Sequence, residues 1–109
     1  MEIIINDYPW WVERVNVDDL PNKSDGITLY NDRKILIRND LDKITTECVL
    51  RHELTHAILC CQGRWSQKTF TQEEMCEFIA FQLPIINNLI KQITGKGVFN
   101  CESTKGEEQ

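Results

Sequence analysis

Apolar and polar positions alternate in the first third of the chain and recur at helical spacing after it. Glu2–Ile5 is rich in β-branched residues and predicts a strand. Trp10–Val17 (WWVERVNV) alternates well enough for a second extended segment. Asp18–Gly26 (DDLPNKSDG) is loop chemistry, with Pro21, Asn22, Ser24 and Gly26 all favouring turns. Ile27–Tyr30 and Lys34–Arg38 flank the polar Asn31-Asp32-Arg33 and predict a β-hairpin. In its second strand Ile35 and Ile37 share one face, and Lys34, Leu36 and Arg38 the other.

Asn39 or Asp40 can cap a helix from about Leu41 to Cys61, with Asp42 in its first turn and Gly63 at its C-terminal end. Val49, Leu50, Leu54, Ala57, Ile58 and Leu59 cover much of its circumference, which predicts a central, largely buried helix. After a loop over Gln62–Phe70, Thr71-Gln72-Glu73-Glu74 has the form of a capping box, and Phe70 and Met75 occupy hydrophobic-staple positions. The helix beginning there runs to about Leu83, is kinked or restarted by Pro84, and continues through Ile93. The expected architecture is α+β: a small twisted sheet, made of N-terminal strands plus a hairpin, packed on a central helix and a kinked C-terminal one. One domain covers residues 1–97, and 98–109 reads as a polar, flexible tail.

The chain has 109 residues and a net charge of −5. That balance, with no run of Lys or Arg, argues against nucleic acid or an anionic membrane as the main partner. No apolar run approaches membrane-span length, and Met1–Val15 lacks signal-peptide features, so the expectation is a cytoplasmic protein, and a monomer is expected. Five cysteines, Cys60 and Cys61 adjacent, fit reduced thiols better than a disulfide framework.

The candidate chemistry lies within the predicted central helix. His52-Glu53-Leu54-Thr55-His56 holds both histidines of the chain, four residues apart. Residues i and i+4 share a helical face, so the two imidazoles can aim at one zinc ion. Glu53 lies about 100° round the helix from His52, placed to take a proton from a water at the metal rather than to ligate it. Burying two histidines and a glutamate without partners is costly, which favours a metal site over a packed core.

Catalytic zinc takes a third protein ligand. Glu73, Glu74 and Glu77 follow on the next helix. Glu74 has work in the capping box. Glu73 shares a face with Cys76, Glu77 and Ala80, whose small members would let that face approach the first helix. Glu73 is therefore the first choice as ligand, Glu77 the second, able otherwise to hydrogen-bond a ligating histidine, and Glu74 the third. Tyr30, Tyr8 and Arg64 are candidate oxyanion donors.

HELTH followed by the acidic helix EEMCEFIA resembles the glutamate-type zincins. More narrowly it resembles the ImmA/IrrE-like metallopeptidases and short HExxH proteins of phages and mobile elements. Glu73 matches that family's helix-opening Glu, Cys76 and Ala80 its alanines, Ile79 its Phe and Pro84 its Pro. The hairpin GITLYNDRKILIRND is similar to its strands. Thr55 stands where the family carries Gly, Glu77 where it carries Asn or Asp, and Pro84 comes early. The resemblance implies a minimal zincin-like fold and a zinc-dependent endopeptidase, with zinc-bound water as nucleophile and Glu53 as general base. Its extended protein or peptide substrate would pair with an edge strand, for which Lys34–Arg38 is the candidate. The alternative is a catalytically silent zincin-fold binding or inhibitor protein.

Overall fold

The computed structural model describes residues 1–64 and 69–95, so the expected tail and domain boundary at residue 97 lie outside the described residues, as do Trp65 and Cys101. Four strands are followed by two helices: β1 (Glu2–Ile5), β2 (Tyr8–Val15), β3 (Gly26–Leu29), β4 (Lys34–Arg38), α1 (Lys43–Cys61) and α2 (Gln72–Thr94). The class is α+β, with a mixed sheet in the order β1-β2-β4-β3.

Local chemistry explains the joints. β1 and β2 form an antiparallel hairpin across Asn6-Asp7, both at positive φ (54° and 71°), as a tight two-residue turn demands. Asn and Asp tolerate that left-handed region better than most residues. Between β2 and β3 the chain makes two short 3-10 turns, Val17–Asp19 and Pro21–Lys23, and buries Leu20. β3 and β4 pair antiparallel as expected, with Arg33 at φ 49° closing the connection.

Lys34–Arg38 is not an edge strand. β4 pairs with β2 in parallel on one side and with β3 on the other, so both rows of its backbone groups are occupied. The hairpin reading foresaw only the β3 side, and the long return from β2 supplies the other. Among the described residues, the free edges of the sheet are β1 and β3.

One sheet face is apolar. Ile3, Ile5, Trp10, Val12, Ile35 and Ile37 are all buried there, consistent with the alternation read for β4. They join one cluster with Leu50, Leu54, Ala57 and Ile58 of α1 and Ile86, Leu89, Ile90 and Ile93 of α2.

α1 starts later than the sequence implied. Asp42 is its N-cap and accepts from the Thr45 amide at 2.7 Å, in place of Asn39 or Asp40. Arg38 holds Asp40 outside the helix. At the other end Gly63 (φ +74°) completes a Schellman closure, with Gly63 N–H donating to Cys60 and Arg64 N–H to Leu59.

α2 opens with the expected capping box: Thr71 Oγ1 accepts from the Glu74 amide, and the Glu74 carboxylate from the Thr71 amide. The ring of Phe70 sits 6.4 Å from that of Phe78, while Met75 is 53% exposed. The helix runs through Pro84 as one element, with the continuation expected from sequence. Pro84 and Ala80 are both exposed, so water can take the carbonyl that the missing N–H leaves without a partner.

Candidate active site

The motif residues are spaced round α1 so that each meets a different environment. Glu53 turns inward, with 9% of its side chain exposed, whereas the side chain of His52 is 68% exposed. His56 is half-buried. The cost of burial therefore falls fully on Glu53, in part on His56 and little on His52. The two imidazole centroids are 4.9 Å apart at an interplanar angle of 73°, the neighbourhood that helical i, i+4 spacing imposes.

The buried carboxylate is satisfied by β3. Thr28 Oγ1 donates to Glu53 Oε1 at 2.6 Å and lies 3.1 Å from the Glu53 carbonyl oxygen. Glu53 Oε2 faces the other way, 3.9 Å from His52 Nε2. One oxygen is thus anchored and the other is presented beside the imidazole pair. Gly26, two residues earlier, lets β3 come this close: a Cβ there would lie 2.8 Å from Val49 Cγ1 of α1.

Tyr30, two residues after Thr28, meets the second histidine. Its hydroxyl lies 3.3 Å from His56 Nδ1. When His56 offers the Nε2 lone pair to a ligand, Nδ1 carries the proton and donates to Tyr30, which fixes tautomer and ring orientation. Burial, then the nearby Cys60 and Glu53, push the Tyr30 phenol above its usual range, so it stays neutral at neutral pH. Tyr30 therefore touches the histidine rather than standing alone as an oxyanion donor. Of the other donors suggested by sequence, Tyr8 is 58% exposed on β2, and the Arg64 guanidinium lies over the Phe70 ring at 6.0 Å.

The acidic residues of α2 are not gathered with the histidines. Among the described residues, no three His, Cys, Asp or Glu side chains form a metal-holding group. Glu73, Cys76, Glu77 and Ala80, expected to face α1, are all exposed. α2 packs instead through Ile86, Leu89, Ile90 and Ile93, with Phe78 partly buried above them. These branched side chains release more free energy on burial than the small-residue face would. Glu74 and Glu77 border a small pocket of about 150 Å³ with Gln62 and Arg64, at the far end of α1.

Sequence reasoning named Tyr30 for another purpose and missed Thr28. The signal was present: in Ile27-Thr28-Leu29-Tyr30 the two hydroxyls alternate onto one face, next to the motif helix. A more open pocket of about 370 Å³ lies along the same side, lined by Gly26, Thr45, Cys48, Val49, His52 and Glu53. No family model, curated protein or solved structure matches the chain.

The Thr28–Glu53 contact is testable as a stability element. Thr28→Val keeps the shape but leaves a buried carboxylate oxygen without its donor, an expected loss of about 1–3 kcal/mol in urea unfolding. A Thr28→Val/Glu53→Met double variant should recover most of that loss, because no buried polar group is then left unpaired. Additive losses would mean that the hydrogen bond is not what holds Glu53.

Proposed function

We propose that the protein is a zinc-dependent peptidase of zincin-like design, with His52 and His56 holding the metal and Glu53 acting as general base. One observation carries this reading: the inward Glu53 carboxylate is anchored through Oε1, and its Oε2 stands 3.9 Å from His52 Nε2, one ring of the imidazole pair. A merely packed glutamate would need its donor but not the adjacent pair.

The fit to zinc is good for two ligands. Both rings lie on one side of α1, and the Tyr30 contact leaves His56 Nε2 available. Glu73 is the proposed third ligand, and joining the pair requires the first turns of α2 to stand closer to α1 than they do here. Zinc, when bound, would polarise the substrate carbonyl and acidify the attacking water. Glu53 Oε2 would accept the proton of that water and return it to the leaving amine. Thr28 keeps the carboxylate from rotating away, and Tyr30 keeps the imidazole from flipping.

The substrate backbone would lie on β3. Arg38 N–H donates to the Asp25 carbonyl, and antiparallel pairing then turns the backbone groups of Gly26 and Thr28 toward the open edge. An extended peptide adding there would pass Glu53 and set a side chain over the pocket between Gly26 and His52.

A catalytically silent binding protein is the second reading, favoured by the distance of α2's carboxylates from the pair. Zinc binding separates the two. Protein prepared without chelator should take up one zinc ion per chain by mass spectrometry and calorimetry. His52→Ala or His56→Ala should weaken uptake by at least about a hundredfold, and Glu73→Gln more than Glu77→Gln. Undiminished zinc uptake in both histidine variants would overturn the metal site. Zinc uptake without cleavage of any peptide in a broad library would favour the silent reading.

A further inference from the structure

The outer face of α2 carries residues that the core does not use, and of these only Glu77, the second choice of ligand, enters the proposed site. Glu77, Phe81, Pro84, Asn88 and Lys91 follow one another at steps of four, three, four and three residues, and all are exposed. That spacing is the seam by which two helices pack side by side. The seam is apolar at its centre and charged at its ends. Phe81 is 70% exposed and Ile85 beside it 49%. Ile4, projecting from the uncovered face of β1, is 54% exposed and borders a groove with Pro84, Ile85 and Asn88. Its volume is about 470 Å³. Phe81 and Ile85 are helical neighbours, and Ile85 lines the groove with Ile4, so the exposed apolar residues here are grouped rather than scattered singly.

The charges identify the occupant. None of the ion pairs among the described residues involves Glu77 or Lys91. A two-fold axis at Pro84 sets a second α2 antiparallel to the first. Glu77 and Lys91 are each seven residues from that axis, so each meets its opposite on the partner. Under the same operation Phe81 falls opposite Asn87 and Asn88, at the groove. Both contacts then occur twice, as an isologous interface requires. We infer that the protein forms a homodimer through antiparallel packing of α2, with each Phe81 seated in the other chain's Ile4–Ile85 groove and Glu77 paired with Lys91. This proposal departs from the monomer expected from sequence.

The interface needs no metal and does not depend on the peptidase reading. Glu73 lies beyond the paired length and is not part of the interface. An antiparallel pair of helices of this length, with Ile4 at its margin, falls at the small end of specific interfaces and corresponds to an affinity of micromolar order.

Sedimentation equilibrium of the full chain, with and without EDTA, tests it. A reversible monomer–dimer equilibrium is expected in both buffers, with a dissociation constant on the order of 10 µM. Phe81→Glu should leave only monomer at concentrations about ten times higher, with an unchanged far-ultraviolet circular dichroism spectrum. Glu77→Lys and Lys91→Glu should each weaken association several-fold, and the combined exchange should restore it. Wild-type protein that stays monomeric, association that survives Phe81→Glu, a dimer lost in EDTA, or a failed restoration by the charge exchange would each overturn the proposal.

Discussion

A Glu53→Gln variant is expected to take up zinc as the parent does and to lose peptide cleavage by about two to four orders of magnitude, the contribution of a positioned general base. The substitution is nearly isosteric, and Thr28 can donate to the Gln carbonyl oxygen as it does to Glu53 Oε1 at 2.6 Å. The amide nitrogen then stands where Oε2 stood, 3.9 Å from His52 Nε2. It carries no lone pair able to take a proton, so the base is removed while its anchor is kept. Turnover of a fluorogenic peptide alongside metal content is the measurement. Cleavage within a few-fold of the parent, at full zinc loading, would show that Glu53 is not the base.

The largest stability effect is expected at Trp10. Its side chain is 1% exposed and belongs to the cluster that joins β1, β2, β4 and both helices. Truncating it to alanine removes the most bulky fully buried side chain among the described residues, and an expected cost of about 3–5 kcal/mol combines lost transfer free energy with the cavity left behind. Domains of this size have total stabilities of about 5–15 kcal/mol, so the variant should be marginal. Its melting temperature should fall by on the order of 15 °C when followed by circular dichroism. A fall of only a few degrees would mean that the surrounding elements close over the space. The site should be affected indirectly, since α1 rests on the same cluster through Leu50 and Leu54.

How much of this was legible from residue order depends on how far apart the interacting residues lie. The motif helix, the Thr71–Glu74 capping box, the inward Ile35 and Ile37 and the Gly63 closure all rest on contacts within a few positions. Helical or strand periodicity alone therefore exposes them. Asp42 in place of Asn39 or Asp40 as the cap is a slip of the same local kind, decided by which carboxylate Arg38 holds. The position of β4 between two neighbours is different. It depends on β2 returning to pair in parallel across more than twenty residues, and no local pattern encodes a partner at that distance.

The amino-acid order by itself determined that two imidazoles and a carboxylate stand within one turn of one helix, because backbone geometry places them there in any fold that keeps the helix. Only the tertiary structure decided what each of them meets. Packing of α1 on β3 turned Glu53 onto Thr28 and His56 onto Tyr30, and left His52 in solvent. Burial of Ile86, Leu89, Ile90 and Ile93 set the rotation of α2, which carried Glu73 and Glu77 outward. A helix has one rotation about its axis, and its larger apolar stripe takes the core.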